Sequence, residues 1–94
     1  MQGGYTIAFT ERFKKDYKAL STDVQDAVDA CILDLEKDPL PAVRRGHRIN
    51  AGRFPKVFSV DVFSNKSYKI SFEINGKEAL LRRVGTHREI DRTY

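Results

Sequence analysis

The hydrophobic period of this chain changes once, near its middle, and that change limits the folds open to it. Val24, Ala27, Val28, Cys31, Ile32 and Leu35 fall at i, i+3, i+4, i+7, i+8 and i+11, the spacing of one helix face. Further on, Phe58, Val60 and Val62 alternate with Ser59 and Asp61. Tyr68, Ile70, Phe72 and Ile74 then alternate with Lys69, Ser71 and Glu73, which is the two-residue period of half-buried strands. Side chains spaced for one period cannot all reach a core in the other. Helices followed by an antiparallel run of strands define the α+β class.

Local signals divide the chain further. Tyr5–Phe9 is short, β-branched and aromatic, and reads as an N-terminal strand. Thr10 follows as an N-cap, with Glu11 in the first turn and Phe13, Tyr17 and Leu20 at helical spacing. Ser21 caps the second helix, which Asp38-Pro39 ends because the residue before proline avoids the helical region. The two helices form a hairpin whose outer face carries Asp23, Asp26, Asp29 and Asp34. Pro39 to Gly52 reads as irregular and basic. Ser64-Asn65-Lys66 is turn chemistry, and Asn75-Gly76 is a hairpin signal whose two turn positions need positive φ. Ala79–Val84 is the last strand, Gly85 breaks it, and Thr86–Tyr94 is a polar tail with about one helical turn. The expected architecture is an N-terminal strand, a helical hairpin and a three- to four-stranded antiparallel meander. Both helices pack on one sheet face, and the opposite face, with Lys69, Ser71 and Glu73, is polar and concave after normal twist.

Ninety-four residues make one domain, 1–94, with a single small core. The 40% hydrophobic and 32% charged composition suits a compact domain and argues against disorder. No apolar run approaches the roughly 18 residues of a membrane span, and Met1–Tyr5 resembles no signal peptide. One cysteine, Cys31, forbids an internal disulfide and a cysteine-based zinc site, and its place on the apolar helix face makes it a core residue. These features together imply the cytoplasm. Residues 1–39 hold five Lys/Arg and eight Asp/Glu, net −3, whereas residues 40–94 hold twelve and five, net +7. Such asymmetry points to an anionic partner, nucleic acid above all.

The sequence has no phosphate-cradling glycine loop, GxSxG or HExxH. His47 and His87 are the only histidines, so no metal or other cofactor is expected. The segment that stands out is Leu80-Leu81-Arg82-Arg83-Val84-Gly85-Thr86-His87. Period-2 geometry puts Arg82 and Arg83 on opposite faces, so one of them shares a face with Lys69. Cationic groups offset the charge that builds on a pentacoordinate phosphorus, and an imidazole gives or takes a proton near neutral pH. A groove lined by Lys69, one arginine and His87 therefore suits a phosphodiester. The same spacing also fits a surface histidine and solvated strand-end arginines.

The ordered set of segments resembles the RelE/ParE superfamily of bacterial toxin–antitoxin toxins. The resemblance is carried by the N-terminal strand, Phe13-Lys14-Lys15-Asp16-Tyr17, Leu35 to Asp38-Pro39, Gly46-His47-Arg48-Ile49, Ser67–Ile74, and Leu81-Arg82-Arg83-Val84-Gly85-Thr86-His87. It is nearest the RelE-like and YafQ-like branch, which cuts messenger RNA. The resemblance implies a metal-independent endoribonuclease acting on mRNA at the ribosome by 2′-OH attack, leaving a 2′,3′-cyclic phosphate. His87 would be the general acid, Arg83 (with Arg82 the second choice) would stabilise the phosphorane, and Lys69 stands where arginine is common in the family. Tyr94 resembles the C-terminal aromatic that orients a base; Arg48, Lys56, Arg82 and His47 would bind RNA. The general base is left among Lys56, His47 and Glu73. Implied partners are a cognate antitoxin, mRNA and ribosome, and operator DNA only through the antitoxin complex, with no membrane. Two other readings remain at this stage: a non-enzymatic ParE-like inhibitor of DNA gyrase, and a catalytically silent DNA-binding co-repressor.

Overall fold

The computed structural model describes residues 5–37, 47–48 and 57–92, and for 47–48 the backbone only. Strand β1 (Thr6–Phe9) stops where Thr10 becomes a cap. The Thr10 backbone is extended, and its hydroxyl oxygen accepts from Phe13 N at 3.0 Å, satisfying one of the orphan donors that open a helix. Helix α1 (Glu11–Lys18) follows, with Glu11 at its positive end and Lys15 and Lys18 in its last turn. Its final carbonyls are used as well, since Tyr17 O accepts from Leu20 N and from Gln25 Nε2 of the next helix. Helix α2 (Thr22–Lys37) carries the apolar face read from the sequence, with Val28, Cys31 and Leu35 fully buried.

The remaining strands are β2 (His47–Arg48), β3 (Val57–Asp61), β4 (Tyr68–Asn75) and β5 (Glu78–Thr86), and α3 (His87–Arg92) closes the described chain. They form one five-stranded sheet in the order β1-β5-β4-β3-β2. The meander β2 to β5 is antiparallel, and β1 pairs parallel to β5 from Thr6↔Glu78 to Phe9↔Leu81. Opposite residues share a face, and Val60↔Ile70 and Phe58↔Phe72 put the expected apolar set against the hairpin. Phe13, Val28, Cys31 and Leu35 from the helices meet Val60, Ile70, Phe72, Leu81 and Val84 in one core.

Four expectations are corrected. The basic stretch read as irregular contains β2, because His47 and Arg48 complete the free edge of β3 opposite Ser59 and Phe58. The hairpin turn lies one residue later than Asn75-Gly76: Asn75 still pairs with Glu78, Gly76 and Lys77 form the loop, and of these only Gly76 (φ 60°) has positive φ. A glycine at the first of two loop positions suits a type II′ turn, which needs only that one residue in the left half of φ. The C-terminal segment is a six-residue helix whose Ile90 is fully buried, so it is not simply a polar tail. Last, the polar sheet face is not an open hollow. Ser59, Asp61, Lys69 and Ser71 are at most 7% exposed, and α3 lies on this side of β4.

An apolar groove of about 280 Å³ runs between β1, α1 and α2, walled by Phe9, Phe13, Tyr17 and Ile32. Across α1 and α2 the Tyr17 hydroxyl donates to Asp29 Oδ1 at 2.8 Å. That bond, then burial, then the negative charge of Asp29 and Asp26 raise the Tyr17 pKa above its ordinary value. The stabilisation from this proton is complete below a tyrosine's ordinary pKa of about 10 and fades as pH rises from there through the folded value. Asp29→Ala should bring the Tyr17 titration down toward the ordinary value, read by NMR of ring-labelled tyrosine. Phe72 is fully buried, so Phe72→Ala should cost about 3–5 kcal/mol in urea unfolding; a loss under about 1 kcal/mol would mean that the core is wrongly described.

Candidate active site at the C-terminal end of β5

A bulge sets the positions of the two arginines. Phe72 pairs with Leu81 and Ser71 with Arg83, leaving Arg82 as the extra residue of β5. Simple alternation of Arg82 and Arg83 between the faces, as the sequence suggests, is thereby lost. Arg82 forms an ion pair with Glu73 of β4, both side chains about one-quarter exposed. Arg83 reaches α1 instead: its Nε donates to Asp16 Oδ2 at 3.0 Å and its second terminal nitrogen to Oδ1 at 3.3 Å. The same Asp16 oxygen accepts from Val84 N at 3.2 Å.

Beyond the bulge, Lys69 stands opposite Gly85 in the β4–β5 ladder, so no side chain stands beside it on β5. Gly85 is also the only residue type that fits there without disturbance, since a Cβ would lie 2.8 Å from Glu89 Oε1. That glutamate has turned back to cap α3. Its Oε1 accepts from Thr86 N at 2.9 Å, while Glu89 N donates to Thr86 Oγ1 at 3.2 Å, a reciprocal capping box. His87 N, the first amide of the helix, donates to Ser67 O at 2.9 Å. With its start fixed twice and Ile90 buried, α3 holds His87 and Asp91, four residues apart, on one face.

His87 Nε2 lies 2.7 Å from Asp91 Oδ2, and Lys69 Nζ donates to Asp91 Oδ1 at 3.4 Å. One carboxylate thus joins the imidazole of the C-terminal segment to the ammonium of the meander. Exposure separates their roles: the Lys69 side chain is 9% exposed, those of His87 and Asp91 about half. A buried ammonium needs an anion beside it, and a half-exposed imidazole can meet a substrate.

Of the residues singled out from sequence, His87 and Lys69 come together, while Arg83 and Arg82 are held by carboxylates on two other elements. Glu73, a candidate base, is the Arg82 counter-ion. His47 and Arg48 are placed in β2 by their backbone alone, and Lys56 and Tyr94 lie outside the described residues. Among the described residues no three His, Cys, Asp or Glu side chains group as a metal would need, and no helix is long and apolar enough to cross a membrane. Sequence reasoning missed Asp91 and Asp16. The first had a signal in Thr86-x-x-Glu89, a capping-box spacing that turns the tail into a helix and pairs His87 with Asp91. Asp16 had none, because its contacts span 67 and 68 residues.

No family model and no curated protein matches the chain. Solved structures do. A chain of the RelBE2 toxin–antitoxin complex from Mycobacterium tuberculosis aligns at TM-score 0.74 and 23% identity, over 88% of this chain and 98% of that one. YafQ from E. coli aligns at 0.65 and 18%, over 92% and 97%. The YoeB/ParE toxin from Agrobacterium tumefaciens aligns at 0.71 and 9%, over 87% and 98%. The fold of this chain is that of the RelE/ParE toxins.

Glu89→Ala should remove one half of the capping box and cost about 0.5–2 kcal/mol, local to α3. Amide exchange at Thr86 and through α3 should speed up while the β4–β5 amides keep their protection; unchanged exchange at Thr86 would refute the cap.

Proposed function

We propose that this protein is the toxin of a toxin–antitoxin pair and a metal-independent endoribonuclease that cleaves mRNA on the ribosome. The observation that carries the reading is the meeting of the His87 imidazole and the Lys69 ammonium on Asp91, 2.7 Å and 3.4 Å away, at the end of a strand that also bears Arg82 and Arg83. A proton donor beside fixed positive charge is what in-line cleavage of a phosphodiester needs. The ribose 2′ oxygen attacks phosphorus, negative charge builds on the phosphorane, and the departing 5′ oxygen takes a proton. In this scheme His87 supplies that proton and Arg83, already oriented by Asp16, faces the phosphorane. Lys69 keeps the pocket positive, and its ammonium retains donors beyond the one given to Asp91.

The net +7 of residues 40–94 draws the RNA backbone, and it also suits an acidic antitoxin as the neutralising partner. Operator DNA would be bound through that complex. RelE- and YafQ-containing toxin–antitoxin complexes among the similar structures support this partner.

The test is controlled expression in a bacterium with mapping of mRNA 5′ ends. The wild type should cut within translated codons. His87→Ala should stay folded and lose cleavage by about 10²–10⁴-fold, the worth of one positioned acid–base group. Growth arrest with intact mRNA would overturn the nuclease reading in favour of a target such as gyrase. Full activity of His87→Ala would take the imidazole out of the chemistry.

A further inference from the structure

The His87 ring has two nitrogens, and cleavage needs one of them to face the substrate. Asp91 sits 2.7 Å from Nε2, whereas no contact is made by Nδ1 among the described residues. The Asp91 carboxylate is itself tied down on its other oxygen by Lys69, whose side chain is 9% exposed and therefore has few conformations to choose from. Lys69 in turn stands in a central strand opposite Gly85. A rigid strand thus holds an ammonium, the ammonium holds a carboxylate, and the carboxylate holds one edge of the imidazole. Because α3 is fixed at its start by the capping box and further along by Ile90, the spacing of His87 and Asp91 is set by the helix and not by chance encounter.

We infer that Asp91 is a positioning residue of this site: its carboxylate, anchored by Lys69, fixes the His87 imidazole through Nε2 and leaves Nδ1 as the nitrogen that gives the proton to the substrate. The inference rests on the nuclease reading for its substrate, a phosphodiester. In the step itself the 2′ hydroxyl loses its proton to solvent, and its oxygen bonds to phosphorus. The P–O5′ bond breaks, and the Nδ1 proton passes to the 5′ oxygen. The imidazole is left neutral, with its Nε2 proton still donated to Asp91. A carboxylate at that edge favours the doubly protonated ring before the step and the Nε2–H tautomer after it.

Two measurements test this on the intact protein. Long-range ¹H–¹⁵N NMR of the neutral His87 ring should show the Nε2–H tautomer in the wild type and a mixture of tautomers in Asp91→Ala. Ribosome-dependent cleavage should fall about ten- to a hundredfold in kcat, part of the contribution of a positioned acid, with KM within about twofold. Asp91→Glu should recover part of the loss. Should removal of the Lys69 counter-ion unfold α3 in Asp91→Ala, Asp91→Asn keeps the shape and removes the charge, and the same fall in kcat is expected. An unchanged tautomer balance, or wild-type kcat in folded Asp91→Ala and Asp91→Asn while His87→Ala is inactive, would overturn the role of Asp91 and leave the nuclease reading standing. A wild type that cleaves no RNA would instead remove the nuclease reading, and with it the substrate for this step.

Discussion

Both edges of β5 must be paired, and the protein meets this demand with different partners along its length. β4 covers one edge throughout, but β1 is only four residues long and its pairing ends at Phe9↔Leu81. From that point the uncovered backbone is taken over by the start of the helical hairpin. Thr10 N donates to Leu81 O at 3.1 Å, the Thr10 hydroxyl donates to Arg82 O at 2.9 Å, and Asp16 accepts from Val84 N at 3.2 Å. A buried peptide group without a partner costs about 1–3 kcal/mol, so these side chains complete the sheet as another strand would. They also explain why α1 begins where it does and why Arg83 has a carboxylate waiting for it. The position of an arginine in the candidate site is a by-product of closing a sheet edge.

The same economy of charge runs through the rest of the site. Asp16 meets Arg83, Glu73 meets Arg82, and Asp91 meets both Lys69 and His87. Each carboxylate comes from a different element, α1, β4 and α3, and each is closest where the sheet would otherwise gather positive charge. Holding several cations together in a small domain is unfavourable unless anions lie between them, and held cations are oriented ones. An arrangement of this kind can present positive charge to a phosphodiester with little reorganisation when it binds.

Much of the architecture was legible because it depends on local repetition. The α2 face from Val24 to Leu35 and the alternation from Tyr68 to Ile74 each carry several apolar residues in phase, and the structure buries those faces as read. The errors came at single residues. Asn75-Gly76 marked a hairpin correctly, but a shift of one place in the loop lies below what the dipeptide specifies. His47-Arg48 is too short to show a period, and it is a strand only because the edge of β3 is free beside it. Ile90 is a lone apolar residue in a charged segment; its burial depends on α3 turning back across the sheet. Of the site, His87 and Lys69 were visible by residue type, yet the carboxylates that hold them and the arginines were not.

Order along the chain, the class of fold, the division into an acidic helical half and a basic stranded half, and the identity of the histidine and lysine are properties of the sequence, because each follows from neighbours within a few residues. The parallel pairing of β1 with β5, the bulge that parts Arg82 from Arg83, and the placement of Asp16 and Asp91 belong to the tertiary structure. They join residues up to 72 positions apart, and no local preference can encode which distant carboxylate reaches which cation. That is settled only when the sheet edge, the bulge and the capped last helix are built against one another, since each hydrogen bond made there exists only in the presence of the others.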